Sequence, residues 1–529
     1  MQSSMPNTAQ STAVTRRYPW LSIMLFAFVV ALYYVARYHG QWAETDSAGF
    51  ARYIRSFVIE GRLTPINGSA YPNGYAYQSI SAFLLMFTGL DVATLQQIVY
   101  PLTACLLVLP AWVLYRELTA SSRGATLATM LLFTQPEFLF VILRSSHEKF
   151  TRTLLLLCLF FLVRSLTLNN RPGLFALHVG LFYLVAFAFI ASNNLLAHSF
   201  IFAVGLALVL GRMLEKRAPH LQSPGSALLQ RLPYATLICL GLAYLFTFYA
   251  YPPAQHDLLV MEHIWDQVAA LFLDVQSEPT NAYATVVIGW INLPVYFSVS
   301  LANWLIFAAS LIIWLRRGQR WLRRGETPAS QMDWLLWLLY AAFVMQGVLS
   351  IVADASGALG SNLQHRIFPS FSIIAVGTVG TTLARWRPRR MPKPLRFGLA
   401  LAAACLSLLS VSKAVNEPLL SNKWTMYQHN ELAAIDWSDA HLENADLWTE
   451  FDERLGVAFH MTHEGSKNGN RFLGKQLKPT MRHLIVTDLT RLRGYRLQRV
   501  APVPSDALRV YDNGMAEVYE LRPRTPFQK

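Results

Sequence analysis

Three short polar stretches interrupt a chain that is otherwise largely apolar: Glu44-Thr-Asp46, Arg144-Ser-Ser-His147-Glu148-Lys149 and Gln364-His365-Arg366. Each adjoins an apolar run long enough to cross a bilayer, so each offers charged groups at a membrane surface. A carboxylate such as Asp46, within hydrogen-bond reach of a hydroxyl, takes up its proton as the oxygen attacks. A guanidinium such as that of Arg366, with His365 beside it, binds phosphate oxygens in pairs and stabilises the charge that grows on a leaving phosphate. His147 and Glu148 either contact a sugar or join Asp46 around a divalent cation. No cofactor is required by this set; Mg2+ or Mn2+ is the candidate metal, although such ions prefer more carboxylates than are present. Glu44 is a candidate acceptor contact. The chemistry these residue types suit is transfer from a lipid-linked phosphate donor to an acceptor hydroxyl.

The elements that must position these groups are set by hydropathy. The chain has 529 residues, 53% hydrophobic and 14% charged, with the apolar residues in blocks of about twenty. That pattern predicts an α-helical polytopic membrane protein with about eleven spans. They fall at roughly 18–38, 94–115, 124–143, 148–168, 173–191, 194–211, 232–250, 284–315, 333–353, 365–385 and 396–413. Residues 77–90 are apolar but short, and counting them as a span would invert every later loop. The four cysteines each lie within an apolar block and imply neither a disulfide nor a metal framework.

A formal charge of +14 raises the question of nucleic-acid binding, which the distribution of the basic residues answers. With residues 1–17 on the cytoplasmic side, the cytoplasmic segments hold 21 Lys and Arg and the opposite loops six, the asymmetry expected of membrane topology. The net charge is therefore topogenic, with no nucleic-acid partner implied. This orientation makes 18–413 the transmembrane domain, 39–93 a long first external loop, and 414–529 an external α/β domain. Expected elements there are a helix near Asn430–Ser438, strands near Asp446–Thr449 and His483–Thr487, and a hairpin turning tightly at Asn513-Gly514. Apolar residues at helical spacing predict surface-lying helices over Ala48–Glu60 and Leu258–Leu273.

The same residues have plainer readings. Asp46 and Glu44 can be solvated loop carboxylates, His147 and Glu148 can cap a tight interhelical turn, and Arg366 can reach for headgroups. Glu137, in Thr-Gln-Pro-Glu-Phe within a span, either faces a cavity or pairs with an arginine such as Arg144. Asn67-Gly-Ser69 matches a glycosylation sequon, a pattern common by chance.

An acidic motif just after the first span, Glu44-Thr-Asp46, a second short motif in the second external loop, His147-Glu148, many spans and an external carboxy-terminal domain resemble the GT-C class of membrane glycosyltransferases. That class uses polyprenyl-phosphate sugars and includes oligosaccharyltransferase catalytic subunits and protein mannosyltransferases. The resemblance implies that Asp46 is the catalytic carboxylate, that His147-Glu148 is the second motif, and that His365-Arg366 meets the donor phosphate. In oligosaccharyltransferases the second motif is a carboxylate pair involved in metal binding; a histidine here departs from it. The stretches Trp424-Thr-Met-Tyr427, Trp448-Thr-Glu-Phe-Asp-Glu-Arg454 and Val510-Tyr-Asp-Asn-Gly514 are similar to soluble domains of bacterial and archaeal members. No Trp-Trp-Asp-type sequon-binding motif is present, which favours a glycan or lipid acceptor over protein N-glycosylation. The expectation is an inverting hexosyl- or pentosyltransferase of the cell envelope. Alternatives are a polysaccharide polymerase or ligase, and, in another class, a multi-pass transporter or an inactive scaffold. A transporter would show internal repeats and ionisable residues at mid-membrane; here they gather at the outer rim.

Overall fold

Apolar length dictates most of the architecture. The computed structural model describes residues 18–43, 45–64, 70–168, 171–272, 293–355, 363–385, 392–420, 428–442, 447–450, 470–472, 482–488, 490–491 and 503–521. Glu44 and the Asn67 sequon lie outside the described residues. The helices are α1 (Trp20–Arg37), α2 (Thr45–Glu60), α3 (Ala76–Thr88), α4 (Val92–Thr119), α5 (Ser122–Leu132), α6 (Pro136–Leu143), α7 (Glu148–Thr167), α8 (Pro172–Ser192) and α9 (Asn194–Arg217). They continue with α10 (Gln230–Ala250), α11 (His256–Phe272), α12 (Leu293–Val299), α13 (Leu301–Arg323), α14 (Gln331–Ala355), α15 (Leu363–Arg385), α16 (Lys393–Leu420) and α17 (His429–His441).

Among the described residues, nine helices are long and apolar enough to cross a membrane: α1, α4, α7 to α10, and α14 to α16. The expected span at 124–143 is broken instead, with α5 and α6 inclined at 75°. Pro136 has no N–H to continue the helix and disfavours helical geometry at Gln135, which is extended at ψ 117°. The expected span at 284–315 falls partly on α13, whose last turns carry Arg320 and Arg323. Helix α3 has 13 residues, about 20 Å of rise, too short to cross. Small residues let α5 and α15 approach closely: a Cβ on Gly380 would lie 2.7 Å from that of Ala128.

The two ends of the bundle differ in chemistry. At one end Arg164 pairs with Glu117 at 3.0 Å, Arg231 donates to the Ser165 carbonyl at 2.6 Å, and Asp333 binds Arg385 and Arg317. The other end carries Asp46 and the small α/β unit. There α17 packs on a five-stranded sheet of β1 (Leu447–Glu450), β2 (Asn470–Phe472), β3 (His483–Thr487), β4 (Leu508–Asp512) and β5 (Ala516–Glu520). The strand order is β2-β1-β3-β5-β4, parallel at β2-β1-β3 and antiparallel beyond. Ala434, Ile435, Ile485, Ala516 and Val518 share one apolar cluster with Phe50, Ala51 and Ile54 of α2, so the sheet unit is seated on the segment that bears Asp46. The β4–β5 hairpin forms at the expected place but with three residues, Asn513 to Met515, between the strands. Within the turn only Gly514 has positive φ, +86°, whereas the type I′ two-residue turn that Asn-Gly favours needs it at both central positions.

The aromatic stretch Tyr71-Pro-Asn-Gly-Tyr75-Ala-Tyr77 is the wedge between α2 and the bundle. Tyr75 N–H donates to the Ala191 carbonyl at 2.8 Å, the Asn194 N–H donates to the Asn73 carbonyl at 2.7 Å, and the Tyr251 hydroxyl donates to the Tyr71 carbonyl at 2.8 Å. Gly74 sits at φ +154° against the α8–α9 junction, where a Cβ would come within 2.3 Å of the Ala191 oxygen. No side chain fits there. Gly74→Ala is expected to undock this wedge and lower the thermal midpoint of the purified protein by several degrees; a midpoint equal to wild type would show that the wedge is not locked at this glycine.

Candidate active site at the α2–α7 junction

The helix expected from Ala48 starts at Thr45, which places Asp46 in the first turn of α2 rather than in a loop. The N-terminal end of the helix dipole favours a carboxylate there. Its side chain is 43% exposed, and one oxygen, Oδ2, lies 3.4 Å from Arg144 Nη1. Arg144 reaches Glu148 through Nη2 at 2.6 Å, and the other Glu148 oxygen binds Arg152 Nη2 at 3.2 Å. Arg152, fully buried, also donates to the Arg366 carbonyl at 2.9 Å and to the Ser370 hydroxyl. A chain of alternating charges thus runs from α2, through the turn before α7, to α15. Taking these charges out of water is tolerable because each has an opposite partner, and Arg152 also has the Arg366 carbonyl and the Ser370 hydroxyl.

A second, uncharged network fixes the turn. Gln96, in a π-helical segment of α4, accepts from Trp42 Nε1 at 3.2 Å and donates to the Tyr77 hydroxyl at 3.0 Å. Tyr77 donates to the Ser145 carbonyl at 3.0 Å, and the Ser145 hydroxyl donates back to the Gln96 carbonyl.

His147 is buried between Phe50 and Tyr71, at ring distances of 4.9 and 5.2 Å. Asn193 caps α9 by accepting from the Leu196 N–H, which orients its amide nitrogen toward His147 Nε2 at 2.5 Å. Nε2 must then be the acceptor, and the neutral ring carries its proton on Nδ1. Burial, partly countered by Glu148 and reinforced by Arg144, Arg366 and Arg152, pushes the imidazole down to about 3. Asp257 on α11, buried, accepts from Asn73 Nδ2 at 2.5 Å and Asn194 Nδ2 at 3.0 Å. Burial raises its carboxyl to about 6, against the hydrogen bonds of Asn194 and Asn73 and the charges of His256 and Arg366.

The sequence-derived candidates therefore separate. Asp46, His147 and Glu148 come together, and Arg366, exposed on α15, acts electrostatically on Tyr71, His147 and Asp257. His365 instead influences Glu137. Glu137 pairs not with Arg144 but with Lys413 of α16, at 2.5 Å. Asp46, His147 and Glu148 do not make a cation site in this arrangement, because both Glu148 oxygens are bound by arginines and the His147 acceptor nitrogen is taken by Asn193. Among the described residues no three His, Cys, Asp or Glu side chains converge as metal ligands. Sequence reasoning gave no site role to Arg144, which it weighed only as a partner for Glu137, and missed Arg152 and Asp257. Two of them had a signal: Arg144, Glu148 and Arg152 recur at intervals of four, and an arginine inside a span demands a partner.

Two outcomes follow from these environments. Glu148→Gln leaves two buried guanidiniums without their shared anion and is expected to cost about 3–5 kcal/mol, read as a large fall in thermal midpoint. The depressed His147 makes the unfolded chain bind the proton first, so its contribution to stability is whole above about 6.5 and declines toward about 3. Asp257, raised to about 6 from 3.8, works in the opposite sense, losing stability as pH rises through that window. The difference between wild type and His147→Gln isolates the histidine: the variant should gain roughly 2 kcal/mol on wild type between pH 7 and pH 5, and a constant gap in thermal midpoint would contradict a buried neutral ring.

No protein-family model and no curated protein matches the chain by sequence. Solved structures match it by fold. The apo oligosaccharyltransferase of Archaeoglobus fulgidus superposes with a TM-score of 0.53 at 10% identity, covering 90% of this chain and 70% of that one. AglB of the same organism, in complex with an inhibitory peptide and a dolichol-phosphate, gives 0.52 at 12% identity over 92% and 71%. ArnT from Cupriavidus metallidurans, bound to undecaprenyl phosphate, gives 0.56 at 12% identity over 96% and 98%. At such identities the likeness concerns the fold, and the fold of this chain, a polytopic helical bundle with a small carboxy-terminal α/β domain, is that of the GT-C-like glycosyltransferases.

Proposed function

We propose that the chain is an inverting glycosyltransferase that moves a sugar from a polyprenyl-phosphate donor to an acceptor hydroxyl on the outer face of the cell membrane. The feature that carries this reading is Asp46: an accessible carboxylate tied by one oxygen to a neutralised chain of buried charges, which ends on the backbone carbonyl of the exposed Arg366. Asp46, Arg144, Glu148 and Arg152 balance two negative with two positive charges, and Arg366 stands outside that set. The fold, shared with proteins bound to dolichol-phosphate and undecaprenyl phosphate, supports a lipid-linked donor. The positive-inside rule puts the arginine-rich end of the bundle in the cytoplasm and Asp46 with the α/β domain outside.

In this reading the acceptor hydroxyl gives its proton to the free oxygen of Asp46 as its own oxygen bonds to the anomeric carbon. The bond from that carbon to the phosphate oxygen breaks in the same displacement, its electron pair leaves with the phosphate, and the configuration inverts. Arg366 stabilises the growing phosphate charge, and Arg144, 3.4 Å from the other carboxylate oxygen, aims the base. The acceptor is a glycan, lipid or protein hydroxyl, and the transferred unit a hexose or pentose.

In transfer assays with defined polyprenyl-phosphate sugars, Asp46→Asn is expected to lower kcat by about 10^2–10^4 with little change in KM, and unchanged turnover would sink the role of Asp46. Arg366→Gln should act mainly on the donor, raising its KM on the order of tenfold, as expected for a lost charge-assisted contact. Because both Glu148 oxygens and the His147 acceptor nitrogen are already engaged, which leaves Asp46 alone to offer an oxygen, transfer should persist in excess chelator; loss of activity restored by Mg2+ or Mn2+ would assign a metal after all.

A further inference from the structure

Charge does not balance at the end of the bundle opposite Asp46. Residues 1–17, 116–123, 164–172, 212–231, 316–333 and 385–396 together carry 21 Lys and Arg but only four carboxylates, Glu117, Glu215, Glu326 and Asp333. Glu117 is committed to Arg164, Asp333 to Arg317 and Arg385, and Glu215 is buried on α9. Any anion that neutralises the surplus therefore comes from outside the chain. Part of that surplus is aligned: Arg316, Arg320, Arg323 and Arg324, all exposed, follow one another at intervals of four, three and one at the end of α13, which gathers them on about a third of the helix circumference. Of the four, Arg320 alone has an ion pair among the described residues, a 3.9 Å contact with Glu326. The other side of the same turns is locked into the bundle, with Arg317 donating to Thr381 and Thr382 at 2.9 Å, Trp321 buried and Gly318 against Trp337. The arginine face is thus held outward. Like charges four residues apart repel, and a topology signal needs their number at this end rather than their alignment.

The face continues into the bilayer. Leu305, Ile312, Arg316 and Arg323 succeed one another at intervals of seven, four and seven, one side of a helix, and Leu305 and Ile312 are about half exposed. A lipid lying along the apolar part has its headgroup at the arginines. Arg317, bound to Asp333 at the start of α14, marks the edge of the apolar core; Arg320 and Arg323 lie about 4.5 and 9 Å of helical rise beyond it, against a headgroup layer about 5–8 Å deep.

We infer that this face of α13 is a binding site for anionic phospholipids of the adjoining leaflet. The guanidiniums of Arg316, Arg320 and Arg323 take the phosphate oxygens in charge-assisted hydrogen bonds, and the acyl chains lie along Leu305, Ile312 and Leu315. A lipid fits better than a soluble anion because the basic and apolar residues share one side of the helix. The site is independent of the transferase reading.

Native mass spectrometry of the delipidated full chain in neutral detergent, titrated with phosphatidylglycerol and separately with phosphatidylcholine, measures the preference directly. Phosphatidylglycerol should bind roughly tenfold or more tightly than phosphatidylcholine, and Arg316→Gln, Arg320→Gln and Arg323→Gln combined should abolish the difference. The control combination Arg123→Gln, Lys216→Gln and Arg217→Gln removes as much charge from the same end of the bundle, two of its residues also in the last turn of a helix. It should leave the preference within about threefold of wild type. Equal loss in both combinations would reduce the effect to diffuse attraction and overturn the site, as would equal binding of the two lipids by wild type. Millimolar inorganic phosphate should not displace the lipid, and displacement would give the face to a free anion instead. A measurement on wild type alone covers the case in which the α13 variant does not fold: in nanodiscs, phosphatidylglycerol with a photoactivatable headgroup should crosslink to the peptide 315–326, and crosslinks confined to other segments would refute the proposal.

Discussion

Glu148 is held at the buried start of α7 between two guanidiniums, Arg144 at 2.6 Å and Arg152 at 3.2 Å, and the geometry of the site hangs on that arrangement. A buried carboxylate is stable only with such partners, and each partner has a second engagement on another element. Arg144 continues to Asp46 on α2, and Arg152 to the backbone and a hydroxyl of α15 beside Arg366. The group offered as the base and the group offered for the donor phosphate are therefore positioned from one anion, although they lie more than three hundred residues apart in the chain.

The irregular backbone of the bundle is concentrated where it serves this arrangement. The break before Pro136 turns α6 so that its end delivers Arg144, and the π-helical segment at Leu95–Val99 presents Gln96 to Tyr77 and Ser145. Gly74 permits the aromatic wedge to press on the α8–α9 junction. In a bilayer such departures from helical geometry survive only where buried protein groups take up the freed hydrogen bonds, and here side chains and neighbouring backbone do so. The α/β unit contributes from the other side, since its apolar residues cluster with those of α2. Helix α2, with little core of its own, is clamped between a membrane-embedded and a soluble layer.

Much of the scaffold was legible in residue order because hydropathy acts locally. Span positions, the short helix α3, the strand at His483–Thr487 and the hairpin at Asn513-Gly514 follow from runs, periods and turn residues that can be read within a dozen positions. Departures came where one residue outweighed the window around it. Pro136 split a span that composition makes continuous, and a single positive φ in place of two lengthened the hairpin turn. Arg144 and Arg152 were visible as fourfold-spaced partners of Glu148, but their cost inside a membrane had to be weighed before they stood out.

By itself the sequence determined a polytopic helical protein, its charge asymmetry, an acidic motif after the first span and a compact α/β unit at the end, because these depend on transfer free energies and propensities summed along the chain. Tertiary structure alone decided which charges meet. It joined Asp46 to Arg144, gave Glu137 to Lys413 rather than to an arginine, tied His147 to Asn193, and brought Asp257 against Asn73 and Asn194. Those pairings are settled by burial and hydrogen-bond geometry between residues distant in the chain, and no local pattern encodes the distance between them.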